Sequence, residues 1–193
     1  LLFLPKTIKT EYAAKKSMLY HIPQQERIWG ILTSKQELYD LLKAWVVITL
    51  AFTLVMVHDF TFSTSTLLTL FISAVTVGTG FLLHELAHKF VAQYYNCWAE
   101  FRAYDLMLLI ALFSSFFGFL FAAPGAVMID ARGITRKQHG LVALAGPATN
   151  FVLAALFLGL LAFIPFGTFW QLLFQYGASI NVWLGVFNLI PFG

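Results

Sequence analysis

The amino-acid sequence predicts an all-α polytopic membrane protein with about four transmembrane helices and a further re-entrant hairpin or strand segment. Of its 193 residues, 60% are hydrophobic and only 11% are Asp, Glu, Lys or Arg. Soluble domains carry about 25% charged residues. The mean hydropathy is +0.79, and several apolar runs approach the ~20 residues that a helix needs to cross a bilayer.

Composition also excludes several other classes of protein. A disordered chain, a collagen-like fibre and a disulfide scaffold are incompatible with this content, since Cys97 is the single cysteine. The net charge of +3 is spread around apolar segments, so it indicates membrane topology rather than a nucleic-acid partner. We therefore expect the lipid bilayer, and no nucleic acid, among the partners.

The chain divides into a polar cytoplasmic lead-in at residues 1–33 and a transmembrane core at residues 34–193. Ser34 and Glu37 form an S-x-x-E capping box, which predicts that the first helix begins there. The apolar core of this helix is Ala44–Val57. The first span is thus expected to start well before its apolar part.

Three further apolar runs predict the remaining spans. Leu67–Leu83 is the core of the second, and its helical pattern continues to about Tyr95. Leu141–Ile164 is the third and Phe169–Ile190 is the fourth, and each is followed by a proline, which cannot continue a helix.

Basic residues orient these spans, because Lys and Arg collect on the cytoplasmic side of a membrane. Seven of the twelve precede the first span, whereas residues 58–66 contain none. Lys89 and Arg102 follow the second span, and Arg132 precedes the third. These residues are expected to face the cytoplasm. We expect a multi-pass membrane protein.

The run Leu106–Ile129 is long enough to cross the membrane, but both of its flanks are basic and are therefore expected on the same, cytoplasmic side. One full crossing would place one flank on the wrong side, so a segment that re-enters and returns is favoured over a simple crossing. Gly118 and the Pro124-Gly125 pair are breaks that suit a hairpin.

The clearest chemical motif is His84-Glu85-Leu86-Ala87-His88, an H-E-x-x-H sequence in the second apolar helix. Residues four apart lie on the same helix face, so both imidazoles can bind one Zn²⁺ while Glu85 acts as the general base. Ionisable residues within a span are costly and indicate function. We predict His84 and His88 as metal ligands, Glu85 as the catalytic residue and one Zn²⁺ per chain, with the site toward the cytoplasmic side.

Three asparagines lie in the later spans. Asn150 follows Ala145-Gly146-Pro147 at the start of the third, and Asn188 lies near the end of the fourth. Both share the depth of the histidines if the run 106–129 returns to its starting side. A role at the metal site and simple interhelical hydrogen bonding are equally good interpretations of Asn150 and Asn188. Interhelical hydrogen bonding is the favoured interpretation of Asn181.

These motifs together resemble the site-2 protease family of intramembrane zinc metalloproteases, in its short prokaryotic form. The matching parts are the H-E-x-x-H motif, Ala145-Gly146-Pro147 with Asn150, and Asn188-Leu189-Ile190-Pro191. The resemblance covers about residues 44–193. It implies cleavage of membrane-anchored protein substrates in or next to their transmembrane segments.

The resemblance also implies further site residues. The third zinc ligand of the family is an Asp shortly after N-x-x-P, and we expect it beyond Gly193, so the core is taken as incomplete at that end. Residues 119–129 resemble the family's membrane-embedded strand or hairpin. Pro124, Gly125 and Ala126 are therefore expected to bind substrate, together with Asn150 and Asn188.

Three other functions compete with this interpretation. A zinc protease of the prenyl-protein type requires a downstream Glu ligand, but no Glu follows Glu100. A catalytically inactive relative that binds membrane proteins has no use for Glu85. A transporter is disfavoured because no charged relay exists beyond the motif.

Overall fold

The computed structural model of the protein describes residues 25–28, 30–57, 63–121 and 124–190. In chain order the elements are β1 (Glu26–Ile28), β2 (Ile31–Thr33), α1 (Lys35–Met56), α2 (Thr64–Tyr94), β3 (Trp98–Ala103), α3 (Asp105–Ser115), β4 (Gly125–Asp130), α4 (Arg136–Leu161) and α5 (Phe169–Phe187). Most of the predicted lead-in (residues 1–24), Ala122, Ala123 and Pro191 lie outside the described residues.

Three of the described helices, α1, α2 and α4, are long and apolar enough to cross a membrane. The predicted fourth span forms α5, which is 19 residues long and contains Gln171, Gln175 and Asn181. It does not belong to that set of three. The helical membrane class is thus supported, and a fourth crossing stays a prediction.

The strands form two small antiparallel sheets, so the expectation of an all-α core was incomplete. β1 pairs with β2, and β3 pairs with β4 in a register from Trp98↔Asp130 to Ala103↔Gly125. Of these strands, the sequence predicted only the segment that became β4. β3 was missed because its partner lies more than 20 residues further along the chain, and such long-range pairing leaves little local signal.

The run Leu106–Ile129 forms α3 and β4 rather than one long helix. α3 has 11 residues, or about 16 Å at 1.5 Å per residue, against a hydrocarbon thickness of about 30 Å. Ala103 and Gly125 are partners in the sheet, so the two ends of the intervening segment meet. This geometry fits a segment that returns to its starting point, and its placement in the membrane stays a prediction.

The predicted cap of α1 is confirmed, but only one half of the capping box forms. The Ser34 side chain accepts a hydrogen bond from the Glu37 backbone N–H at 3.1 Å. The Glu37 carboxylate accepts from the Phe101 backbone N–H at 3.0 Å and from Lys89 Nζ at 2.5 Å. The N-terminal end of α1 is therefore joined to β3 and to the C-terminal part of α2.

Lys89 is buried, which differs from its use above as a marker of the cytoplasmic surface. Its side chain is 1% exposed and that of Glu37 is 0% exposed. Lys89 Nζ also donates to the Thr33 hydroxyl at 3.0 Å, and Gln93 of α2 exchanges hydrogen bonds with the backbone of Leu32. β2 thus packs on the core, and the domain boundary after residue 33 stays a prediction.

The core lies where α1, α2, β3, α3 and α5 meet. Its buried side chains are Leu41, Ala44, Ile48, Val77, Phe81, Phe101, Leu108 and Ile180. α2 contains a π-helical segment at Ala74–Gly78, a local irregularity that is frequent next to functional sites. α4 begins at a complete capping box of Thr135 and Gln138, five residues before the predicted apolar run.

Candidate active site

The two histidines of the motif lie on one face of α2, as their spacing predicted. Their Nε2 atoms are 3.1 Å apart, and the ring planes are nearly perpendicular at 80°. Both rings point toward α4, where His88 Nδ1 is 2.7 Å from the Val142 carbonyl oxygen and His84 Nδ1 contacts Asn150 Oδ1.

These contacts fix the tautomers of both rings. A carbonyl or amide oxygen can only accept a hydrogen bond, so each Nδ1 carries the proton and donates it. Each Nε2 then presents its lone pair, and the two lone pairs meet at one position. Metal-binding histidines are held in this manner by a partner on the other ring nitrogen. The residues present therefore fit a Zn²⁺ held by His84 and His88.

Gly146 on α4 provides the space in front of the two rings. A Cβ atom at this position would overlap the Nε2 atoms of both His84 and His88. The closest neighbours of a Cβ at this position are the predicted ligand atoms themselves.

Glu85 lies beside the histidines and borders a cavity of about 310 Å³. Glu85 is 8% exposed, and its carboxylate lies close to the backbone N–H of Val127 on β4. The cavity is lined by His84, Glu85, His88, Gly125, Ala126, Val127, Ile129, His139, Val142, Ala143 and Asn188. A carboxylate, two imidazole lone pairs and a strand thus surround one space.

The unpaired edge of β4 faces this cavity. The Pro124 carbonyl accepts from the Tyr104 N–H at 3.0 Å, on the side of β3. Because backbone groups alternate along an antiparallel strand, residues 126, 128 and 130 also pair with β3. The backbone groups of Gly125, Val127 and Ile129 point to the other side, in agreement with the contact between Val127 and Glu85.

The predicted substrate residues fall into two groups. Gly125, Ala126 and Asn188 line the cavity, whereas Pro124 and Asn150 are not among the lining residues. Asn150 is 0% exposed, and its amide is bonded to His84 and to Asn181. Asn188 is exposed at the end of α5, where its Nδ2 donates to the Leu184 carbonyl at 2.8 Å.

Sequence reasoning missed some of the groups that build the site. The Val142 carbonyl and the edge amide of Val127 are backbone atoms, which no residue pattern identifies. The predicted interhelical hydrogen bonding of Asn181 is confirmed, because its Oδ1 accepts from Asn150 Nδ2 at 2.9 Å, but its partner in that bond, a contact of His84, was not predicted.

A third protein ligand is not found in the part of the chain that the structure describes. No three His, Cys, Asp or Glu side chains within it gather as a metal site. The expectation of an Asp ligand beyond Gly193 therefore stays a prediction.

Comparison with known proteins agrees with this donor set. No family model and no solved structure matches the chain. A curated protein of Methanocaldococcus jannaschii named "putative zinc metalloprotease" is 39% identical over 133 residues, which cover 68% of this chain and 70% of that protein. With this identity and coverage, the chain belongs to the zinc metalloprotease family of that relative.

Proposed function

We propose that the protein is a zinc-dependent intramembrane endopeptidase of the site-2 protease type. It cleaves membrane-anchored proteins within or next to their transmembrane segments. One observation carries the proposal: the converging Nε2 atoms of His84 and His88 lie, with Glu85, on a helix that is long and apolar enough to cross a membrane. Soluble metalloproteases have no reason to place this motif in an apolar span.

His84 and His88 would hold the zinc ion, together with the Asp expected beyond Gly193. When bound, zinc supplies a Lewis acid that polarises the scissile carbonyl and activates water. The Glu85 carboxylate takes a proton from the attacking water and delivers it to the nitrogen of the leaving amine. The Nδ1 contacts to Asn150 and Val142 keep both imidazoles directed at the reaction centre.

The free edge of β4 supports a way of binding substrate. A peptide bond in a helix is covered by side chains and its backbone groups are already bonded, so the substrate segment must be extended before cleavage. An extended peptide can add to an unpaired strand edge by backbone hydrogen bonds, and the edge groups of Gly125, Val127 and Ile129 face the cavity. Asn188, on the opposite wall, would hold the substrate backbone.

This mode of binding requires a change at Glu85. The Val127 backbone N–H that an added strand would use lies close to the Glu85 carboxylate in this state. A substrate that takes this partner releases the Glu85 carboxylate toward the reaction centre. Strand addition and activation of the general base would then occur in one event.

The proposed setting is the cell membrane of a prokaryote, with the site toward the cytoplasm. α2 has 31 residues and a length of about 46 Å, which exceeds the hydrocarbon thickness of about 30 Å. His84 and His88 lie in its C-terminal half, so the site would lie near one membrane face. Cleavage there would release a cytoplasmic protein from its anchor, as in regulated intramembrane proteolysis.

The test is cleavage of a membrane-inserted model substrate by the full-length protein in detergent with zinc. The matched control is Glu85→Gln, which keeps the size of the side chain and removes the base. We expect cleavage by the parent only, with zinc bound by both proteins. If both proteins bind zinc and neither cleaves, the proposal fails in favour of an inactive relative that binds membrane proteins.

A further inference from the structure

We propose that Asn181 on α5 is a positioning residue of the metal site and that it sets the tautomer of His84 through Asn150. The inference rests on the proposed function, because it concerns the same zinc ligands. Asn181 is more than a packing residue: it begins a directed series of hydrogen bonds that runs from α5 through α4 to α2.

The series begins at the Gly177 carbonyl. Asn181 Nδ2 lies 2.8 Å from this oxygen, one turn earlier on the same helix. A carbonyl oxygen can only accept, so the NH₂ end of the Asn181 amide must face it. The Oδ1 end of Asn181 therefore points the other way, toward Asn150.

The orientation of Asn150 follows from that of Asn181. Asn150 Nδ2 lies 2.9 Å from Asn181 Oδ1 and 3.3 Å from the Gly80 carbonyl oxygen. Both neighbours are acceptors, so the NH₂ group of Asn150 must face them. Its Oδ1 then faces His84 Nδ1, and both asparagines are 0% exposed, so bulk solvent does not reach either amide.

The contact with Asn150 favours one tautomer of the neutral His84 ring. An acceptor opposite Nδ1 requires the proton on Nδ1 and leaves the lone pair on Nε2. A reversed Asn150 amide would favour the other tautomer, with a proton on Nε2 that blocks metal binding. Asn181, whose contact with Asn150 is shorter than that of the Gly80 carbonyl, adds to the energy difference between the two amide orientations, although it does not contact His84.

The shape of α2 supports this role independently. A Cβ atom at Gly80 would lie 2.7 Å from Asn181 Oδ1, so α2 lacks a side chain where this oxygen approaches. The group that approaches α2 most closely at Gly80 is the Asn181 amide. A residue that only fills space would not require a polar oxygen at this position.

The test uses the full-length protein without metal, labelled with ¹⁵N-histidine. ¹⁵N chemical shifts distinguish the two tautomers, and the His84 signals are assigned by their loss in His84→Gln. We expect pure Nδ1–H in the parent and a mixture in Asn181→Leu. We also expect zinc affinity to fall about tenfold in that variant, the lower end of the 10–100-fold range for partners of metal ligands.

Two further variants keep the test decisive. Gly80→Ala displaces the Asn181 oxygen and leaves Asn181 itself in place, so it should reproduce the mixture of tautomers even if Asn181→Leu does not fold. Thr149→Val is the matched control, because the Thr149 hydroxyl donates to Ala145 of its own helix at 2.9 Å.

The outcomes separate this inference from the proposed function. If His84 is purely in the Nδ1–H form in Asn181→Leu and in Gly80→Ala, and both variants bind zinc with the parent's affinity, the role of Asn181 is overturned. A parent protein that fails to cleave any peptide would refute the proposed function, and the tautomer result would still decide the inference.

Discussion

Replacing Gly146 by Ala tests whether the space in front of the two imidazoles is required for metal binding. The added Cβ would lie 2.5 Å from His84 Nε2 and 2.7 Å from His84 Cδ2. Ordinary van der Waals contact begins at 3.4 Å. Relief of the overlap therefore requires a displacement of about 0.9 Å between α4 and the His84 ring.

This displacement is large on the scale of a metal site. Ligand distances must match the metal within about 0.2 Å, and a misplacement of about 1 Å can lower a catalytic rate about 100-fold. We expect Gly146→Ala to weaken zinc binding at least tenfold and to lower kcat/KM by about 100-fold, the latter being about 2.7 kcal/mol of transition-state stabilisation. The fold should persist, because Ala is the best helix former.

The measurement is a competition titration of zinc against a chelator, together with cleavage of the model substrate and thermal unfolding. Gly159→Ala is the matched control on the same helix, since nothing lies within 4 Å of a Cβ at that position. We expect the control to match the parent. If Gly146→Ala binds zinc and cleaves as well as Gly159→Ala, the reasoning from this close approach is refuted.

Four further predictions address other parts of the molecule. Lys89→Met leaves the Glu37 carboxylate buried without its ion-pair partner and should cost about 3–5 kcal/mol of stability; denaturant unfolding should show this loss, and adding Glu37→Gln should recover most of it. Asp130 is bonded to the Arg132 guanidinium, which lowers the pKa of Asp130. This contact therefore persists at neutral pH and is lost as the pH falls through that lowered pKa. An NMR titration of the Arg132→Gln variant should show that the pKa of Asp130 rises. Ile129→Pro removes an edge N–H of β4 and should raise KM while zinc affinity stays at the parent's value; unchanged kinetics would argue against strand addition. In an Arg132→Cys variant, the new cysteine should react with a membrane-impermeant thiol reagent only from the cytoplasmic side. Labelling of this cysteine only from outside would exclude a re-entrant segment.

The parts of the fold that the sequence predicted are those with local signals. The spacing of His84 and His88 predicted a shared helix face, and Ser34 predicted the start of α1; both are confirmed. The breaks at Gly118 and Pro124 correctly indicated that the run 106–129 is not one helix.

The parts that escaped prediction depend on contacts between distant segments. Glu100 reads as a surface charge in the sequence, yet it is 0% exposed, bonded to Ser34 and paired with Arg102 at 3.0 Å. Ser34 lies at the start of another element, and Arg102 was interpreted only as a marker of membrane topology. Burial of a charge depends on where its partner arrives in the fold, so the local sequence could not distinguish Glu100 from a solvated residue.

The pairing of Lys89 with Glu37 has a consequence for the assembly of the protein in a membrane. Lys89 follows directly after the zinc ligand His88, and its charge is compensated by α1 and β2 rather than by its own helix. The charge of Lys89 is therefore compensated only when α2 is packed against α1 and β2. The residue next to His88 thus couples the C-terminal half of α2 to the N-terminal part of the chain, so a substitution that loosens the packing of α1 is expected to disturb the metal site as well.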